Sequence, residues 1–454
     1  MIEKERADYT EGSITQSIVK MGMPSMIGFL AQHFYYLVDM FWLSMMSNGQ
    51  TAVAAVTIFS NISWVFFSFN SLVGAGSVAI ISRRYGEKNF DSTETAIKET
   101  FLLKFSIGVI LGLAGFFLTD KLMYIGGARG ETLDLGIQYG RVIFLGMGFS
   151  YASYSVYTAM RGIANPNLAM GIMIASNVLN LILDPLLIMG YLGFPKMGII
   201  GAAVATVISY VVAFSSGLIC LFSGITNVQL HLRSRVKMSL RSMRQIIGIG
   251  VPSWIGEMSL SVSRFVVMPM IAIFGDSVVA AYGVGMQISN IGNAIMVGIG
   301  LGLASLIGHN LGGGKKERAL RTANQAILIS LGITISLGII VFFLSKPIMS
   351  LYFSSPETVA NGVALLRILV VAFPFMGAYI MLHEIYAGVG LNTPGMILNV
   401  GNAWILEIPA IFILTRIFHF DQIAVWWVVA GASAISMLLF YWYYRRGQWL
   451  HVKV

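Results

Sequence analysis

The segment RGIANPN (161–167) returns as VGLNTPG (389–395), pairing Gly162 with Gly390 and Pro166 with Pro394 at an offset of 228 residues. The same offset relates Gly22-Met23-Pro24 to Gly250-Val251-Pro252. An offset of 226 relates Val53-Ala54-Ala55 to Val279-Ala280-Ala281. It also relates Gly86, in the basic stretch ISRRYGEKNFDSTETA (81–96), to Gly312 in IGHNLGGGKKERALRTA (307–323). Four matches at nearly one offset mean that the chain is two copies of one unit.

Each unit is apolar enough to live in a bilayer. Hydrophobic residues make up 56% of the 454 residues and charged ones 11%, with a mean hydropathy of +0.78. Soluble domains carry about a quarter charged residues, so the composition is that of a membrane protein. Crossing a bilayer takes about 20 apolar residues. Twelve stretches qualify: 21–44, 52–82, 99–118, 138–160, 168–190, 198–223, 246–274, 278–308, 323–345, 363–388, 395–415 and 424–444. They are continuous rather than alternating, which predicts helices and not a β-barrel. The expected fold is an all-α membrane protein of twelve transmembrane helices in two pseudo-symmetric six-helix lobes. Six spans per unit give both copies the same orientation, a parallel repeat with the substrate path at the lobe interface. The polar, basic segment 224–245 divides the chain into an N-terminal lobe (1–223), a cytoplasmic connector and a C-terminal lobe (246–454). The alternative for 224–245 is a regulatory or lipid-binding loop.

The net charge of +9 does not call for nucleic acid. With the N-terminus inside, 20 of the 29 lysines and arginines fall on inside segments. These are Lys4, Arg6, Lys20, Arg83, Arg84, Lys88, Lys98, Arg161, Arg233, Arg235, Lys237, Arg241, Arg244, Lys315, Lys316, Arg318, Arg321, Arg445, Arg446 and Lys453. Only five fall outside: Lys121, Arg129, Lys196, Lys346 and Arg416. The bias places both termini in the cytoplasm. The N-terminus MIEKERADYTEGSITQSIVK is too polar for a cleavable signal peptide. Twelve spans without a targeting peptide fit a prokaryotic plasma membrane. The single cysteine, Cys220, rules out an intrachain disulfide and a multi-cysteine metal site.

Ionisable residues inside spans are costly and usually functional. In the first span, Gln32, Tyr35, Tyr36 and Asp39 lie at i, i+3, i+4 and i+7 and form one polar stripe. In the fifth, SNVLNLILDP places Asn177, Asn180 and Asp184 at i, i+3 and i+7. Both spans run outward, and both acids lie roughly 8–9 Å from the outer end at 1.5 Å per residue. The two stripes are therefore expected to meet inside the N-terminal lobe. Pro185 leaves the carbonyl of Leu181 without its helical partner, a possible ligand or kink. Two carboxylates in low dielectric repel when both are ionised. Such a pair takes up a proton, or is neutralised by Na⁺ through carboxylate, amide and carbonyl oxygens. Either makes a coupling site; the plainer alternative is two separately hydrogen-bonded structural acids.

The second copy does not repeat this pattern. Asp39 maps to Val267. The C-terminal half has other acids in spans, Glu257 and Glu407, with His383 and Glu384 late in the tenth span. Glu257 and Glu407 are secondary ion-site candidates, with a structural or cavity-lining role as the expectation. Arg141, Arg264 and Arg367 are expected to pair with acids or to snorkel. The 26 methionines suit an adaptable apolar cavity, although most are expected to pack or face lipid. GHNLGGGKKER fails the Walker pattern, with His309 and Lys316 where Gly and Ser or Thr belong. It reads as a turn, so no ATP, metal or other cofactor is expected and an ion gradient supplies the energy.

The ordered set of motifs resembles the multidrug and toxic compound extrusion (MATE) family, most closely its DinF-like prokaryotic branch. These are the opening Gly22-Met23-Pro24 with Asp39 15 residues beyond Pro24, Arg161-Gly162 with Asn165-Pro166, Asn180 with Asp184, and GIIGAAVAT (198–206). The likeness spans essentially the whole chain. It implies export of organic cations and amphipathic compounds against H⁺ or Na⁺ by rocker-switch alternating access. It also implies ion coupling by Asp39 and Asp184, supported by Asn180, with Gln32, Tyr35 and Thr206 in the cavity or its network. In another branch essential acids lie in the seventh and tenth helices. Here Ala378 stands at the tenth-helix position and Glu257 lies a few residues off the seventh, which disfavours that branch.

A lipid or lipid-linked oligosaccharide flippase is the alternative and calls for a more cationic cavity. A membrane prenyltransferase needs DDxxD-type clusters, which the chain lacks, so no enzyme is expected. A channel is a further option, against which the two-lobe repeat argues. The expected partners are small cationic or amphipathic molecules and membrane lipids, with a monomer sufficient to form the path.

Overall fold

In hydrocarbon a backbone must satisfy its own hydrogen bonds, and helices do so locally. The computed structural model describes residues 8–232 and 236–452. It consists of helices α1 (Ile14–Ser44), α2 (Gly49–Gly86), α3 (Phe90–Ile125), α4 (Gly130–Leu145), α5 (Met147–Gly162), α6 (Pro166–Met189) and α7 (Ile199–Phe222) in the first half. The second half holds α8 (Leu240–Ala272), α9 (Asp276–Gly312), α10 (Lys316–Tyr352), α11 (Pro356–Val389), α12 (Thr393–Gly401), α13 (Ile408–Phe412) and α14 (Gln422–Arg445). The pair α4 and α5 forms one span bent at Gly146. The pair α12 and α13 forms another, joined and followed by π-helical turns at Asn402–Glu407 and Ile413–Ile417. Pro409, at the start of α13, has no N–H to donate, and the wider π turn before it absorbs that loss. Twelve spans result, as expected. Among the described residues ten helices are long and apolar enough to cross a membrane. The first and fourth spans fall short, α1 because its polar stripe lowers its apolarity and α4 and α5 because each has 16 residues.

The helices overshoot their apolar runs. α2 has 38 residues, about 57 Å at 1.5 Å per residue against a core of about 30 Å. Its last turn carries Arg83 and Arg84, which suit the negative end of the helix dipole. Ser13, Asn89, Ser239 and Ser355 cap α1, α3, α8 and α11 by accepting from backbone N–H groups. Of the residues that carry the charge bias, Lys4, Arg6, Arg233, Arg235 and Lys453 lie outside the described residues. Those described at the helix ends, among them Lys20, Arg83, Lys88, Lys315, Arg318 and Arg445, share one face of the bundle, called here the basic face.

The buried apolar side chains sort by half. One cluster runs from Leu43 to Ala203 and another from Val73 to Leu230, both in the first half except for Ile246. A third runs from Val267 to Ala430, and a fourth from Met296 to Trp449 that also takes in Ile18 and Met21. The crossing residues Ile18, Met21 and Ile246 all lie toward the basic face, where the two lobes touch. There α1 packs on α9, and α2 on α8 and α9. Glycine makes the approach possible: a Cβ on Gly76 would lie 2.0 Å from the carbonyl oxygen of Ile246, and one on Gly250 1.9 Å from that of Leu72. Burial along α9 follows the same gradient, nearly continuous from Gly298 to Leu311 and sparse before Ala294.

Gly76→Ala should therefore weaken the seam, by about 1–3 kcal/mol from overpacking, and lower the thermal midpoint in detergent. Gly332→Ala, with nothing within 4 Å of its Cβ, is the matched control. Equal midpoints for both variants would contradict this account of the seam.

Candidate functional site

The polar stripe of α1 and that of α6 do meet. Asp39 is 2% exposed and Asp184 0%, and the two are close enough for the charge of Asp39 to act on Asp184. Each keeps one carboxylate oxygen, Oδ1, buried without a hydrogen-bond partner. With its amide oriented to satisfy both ends, Asn180 donates from Nδ2 to Asp184 Oδ2 at 3.2 Å and accepts from the backbone N–H of Thr206 at 3.2 Å. Asn180 thus ties α6 to α7. The rings of Tyr35, Tyr36 and Tyr139 lie within electrostatic reach of Asp39.

Beside the carboxylates lies a pocket with about 360 Å³ of empty space. α1 contributes Gln32 and Tyr35, and α5 contributes Ser153, Tyr154 and Tyr157. Met173, Ser176, Asn177 and Asn180 come from α6, and Thr206, Ser209 and Tyr210 from α7. Gln32 Nε2 donates to the Tyr154 hydroxyl at 2.5 Å. The Oγ1 of Thr206 and the Nδ2 of Asn177 are buried without partners. Unpaired donors and acceptors in such a place hold free-energy cost in reserve for a ligand, an ion or a water. Among the described residues the lining carries hydroxyls, amides and aromatic faces and no Lys or Arg.

The structure brings together Gln32, Tyr35, Asn177, Asn180 and Thr206 in the lining, with Asp39 and Asp184 behind it. Tyr36 is not itself a lining residue: it is 46% exposed, its ring is tilted 33° to that of Tyr35 with centroids 4.8 Å apart, and its hydroxyl hydrogen-bonds Tyr210, which does line the pocket. Glu257 and Glu407 stand apart from the pocket, in the other lobe. Glu257 neighbours Ser71, His383 and Glu384, and Glu407 lies in a π-helical turn facing Arg264 and Tyr282. A second pocket, between α9, α10 and α11, has about 280 Å³ of empty space, and no acidic residue lines it. Val267, the counterpart of Asp39, is packed in an apolar cluster.

Of the arginines in spans, Arg141 takes an acidic partner as expected and Arg367 takes an aromatic one. Arg141 bonds both oxygens of Asp120, at 2.9 and 3.1 Å, and Arg367 lies over the Phe342 ring at 5.0 Å. Arg161, expected among the inside-segment cations, is instead buried at 6% exposure, its charge interacting with Glu384 across the seam. Tyr154 and Tyr157 of the same helix are also within electrostatic reach of it. The tyrosines Tyr139, Tyr154, Tyr157 and Tyr210 were missed by sequence reasoning. Tyr151, Tyr154 and Tyr157 recur at helical spacing, a signal that could have found the α5 contribution.

The MatE family profile matches this chain twice, over residues 24–186 and 252–413. The two matches begin at the repeat offset read from the sequence. The chain is 27% identical to "Probable multidrug resistance protein YoeA" of Bacillus subtilis, covering 87% of this chain and 86% of that one. It is 24% identical to "Multidrug export protein MepA" of Staphylococcus haemolyticus, over 95% of this chain and 93% of that one. Among solved structures it superposes on a MOP superfamily transporter from Pyrococcus furiosus with a TM-score of 0.90, at 23% identity and 98% coverage of both chains. An outward-facing multidrug resistance MATE family transporter matches with a TM-score of 0.88, at 24% identity and 97% coverage of each. These likenesses establish the twelve-helix, two-lobe fold. With two profile matches covering well over half its length, this chain belongs to the MatE family and is a membrane transporter rather than an enzyme.

Proposed function

We propose that this transporter is a secondary active multidrug exporter that moves organic cations and amphipathic compounds outward in exchange for H⁺ or Na⁺. The observation that carries the reading is the pair Asp39 and Asp184, buried side by side with an unpartnered oxygen each. One added positive charge relieves both their repulsion and their unmet acceptors, and its release restores both. A proton does this on either oxygen. Sodium does it with the Asp oxygens, the carbonyl of Leu181 freed by Pro185, and the amide oxygen of Asn177 within its range of ligand types. In this scheme Asp39 and Asp184 bind the ion, Asn180 holds Asp184 in place, and Gln32, Tyr35, Asn177 and Thr206 form the adjoining polar wall. The names of the curated relatives, which refer to multidrug resistance and export, support the substrate class.

In the proposed orientation the basic face is cytoplasmic, in a prokaryotic plasma membrane, with residues 224–245 connecting the lobes on that side. The seam then closes the inside, as an outward-facing state requires, and rocking of the lobes would open it. A flippase for lipid-linked anions finds little support in a pocket lined without Lys or Arg.

Inside-out proteoliposomes loaded by ΔpH alone or by ΔNa⁺ alone, with ethidium as the reporter, test the reading. Uptake under one gradient identifies the ion, and no uptake under either rejects coupled export. Asp39→Asn should abolish coupled transport at unchanged abundance, and adding Val267→Asp should not restore it, since Val267 packs in an apolar cluster of the other lobe. Full rescue would show that the ion site is not confined to the first lobe. Asn180→Ala removes a hydrogen bond to a carboxylate, an interaction of about 1.5–3 kcal/mol. It should slow transport roughly 10- to 100-fold, while a parental rate would remove Asn180 from the site.

A further inference from the structure

The basic face carries a second arrangement that the ion pair and pocket do not use. Residues Asp8 to Gly12 precede α1 and so belong by connectivity to the first lobe, yet the second lobe binds them. Lys315 Nζ donates to the Thr10 carbonyl at 3.1 Å and pairs with Glu11 Oε1 at 3.0 Å. Arg318 donates from Nη1 to the Gly12 carbonyl at 2.8 Å, and from Nη2 to those of Glu11 at 2.8 Å and Tyr9 at 3.3 Å. One guanidinium thus gathers three carbonyls of the four-residue stretch 9–12. Asp8 meanwhile faces Lys88 of the first lobe at 3.6 Å. Tyr9 packs against buried clusters of both halves, a side chain wedged between the two cores.

The other chain end makes the reverse connection. Trp449, fully buried, stacks on Tyr444 in the second lobe with ring centroids 5.5 Å apart. The carbonyl of Val452 then accepts from Arg83 Nη2 of α2 at 2.8 Å. The first lobe's leading segment is therefore held by the second lobe, and the second lobe's tail by the first. Between them His309 of α9 bonds the Gly162 carbonyl at the end of α5, at 2.7 Å.

We propose that the two chain ends form a reciprocal clasp across the basic face, and that this clasp must part each time the lobes rock open on that side. The proposal rests on the alternating-access reading above. Its chemistry suits a reversible device. The bonds join cations to backbone carbonyls at partly exposed sites, so water can replace each as it breaks. A sealed apolar contact offers no such exchange. Three carbonyls on one guanidinium also make the contact all-or-none, because a small displacement of α10 loses them together.

Cys220 is the chain's only cysteine, so Cys220→Ser provides a clean background. In it, Glu11→Cys with Lys315→Cys, bridged by a short reducible bis-methanethiosulfonate reagent, fixes the clasp shut. Ethidium transport should stop on bridging and return on reduction. A bridged protein that transports at the unbridged rate overturns the proposal. A second measurement needs no substrate and so stands even if coupled export fails. Ser82 lies in the seam, its Oγ 1.8 Å from where a Cβ of Gly308 would be. Ser82→Cys then reports opening through labelling by an impermeant maleimide added from the basic face. Lys315→Gln with Arg318→Gln should speed that labelling at least about tenfold, given the strength of hydrogen bonds from charged donors. An unchanged labelling rate would equally overturn the clasp.

Discussion

Two carboxylates confined in one helical bundle repel each other, and the first lobe is arranged around that repulsion. Asp39 and Asp184 are almost wholly out of water. They come from two helices that pack on each other, α1 and α6, and that packing brings the two acids together. Asn180 satisfies one oxygen of Asp184 and at the same time binds the backbone of α7. A change in the charge of the pair is thereby connected to the relative placement of three helices. A group that only stabilised the fold would be better served by an apolar residue, since replacing buried ionic groups by well-packed apolar ones is often neutral or stabilising. The second lobe shows that solution, with Val267 packed where the first lobe has Asp39.

That difference between the copies is informative because so much else is shared. The repeat supplies two six-helix units with common turn chemistry, Gly162 and Gly390 near the ends of α5 and α11, Pro166 and Pro394 at the starts of α6 and α12. Local rules of this kind are read easily from sequence, since proline favours a first helical turn and Gly390 takes the left-handed conformation that ends a helix. The twelve spans followed from apolar length, and the meeting of Asp39 with Asp184 followed from matching their depths. Periodicity identified which residues of each stripe share a face.

What periodicity could not supply was the partner across the gap. Tyr210 comes from a helix whose own polar residues form no run with an acid, so nothing local marks it, and the tyrosine repeat of α5 does not say which acid-bearing helix it faces. Tyr36 shares the stripe by its i+4 and i−3 spacing, but the spacing does not show that it reaches the pocket through the hydroxyl of Tyr210 rather than by lining it. Arg161 stands at a helix end, but position in the chain says where a Cα lies and not where its long side chain reaches. The π-helical turns of the eleventh span were likewise invisible, as Pro409 signals only that a bond is missing and not how the backbone closes around it.

The clasp and the carboxylate pair share one physical feature: each holds an arrangement by bonds that can be exchanged. At the pair, under the proposed coupling, the exchange is between an ion and an unmet acceptor, at two acids that are almost wholly buried. At the basic face, it is between protein carbonyls and water for the same lysine and arginine donors. Apolar seams elsewhere between the lobes, such as that of Gly76 with Ile246, gain most when they are tightest and have no comparable substitute once parted. Under the alternating-access proposal the seam must form a real barrier yet not become a permanent core. Confining the close glycine contacts to one end of α2 and α9, and placing exchangeable charged bonds at their rim, meets both demands with the same helices.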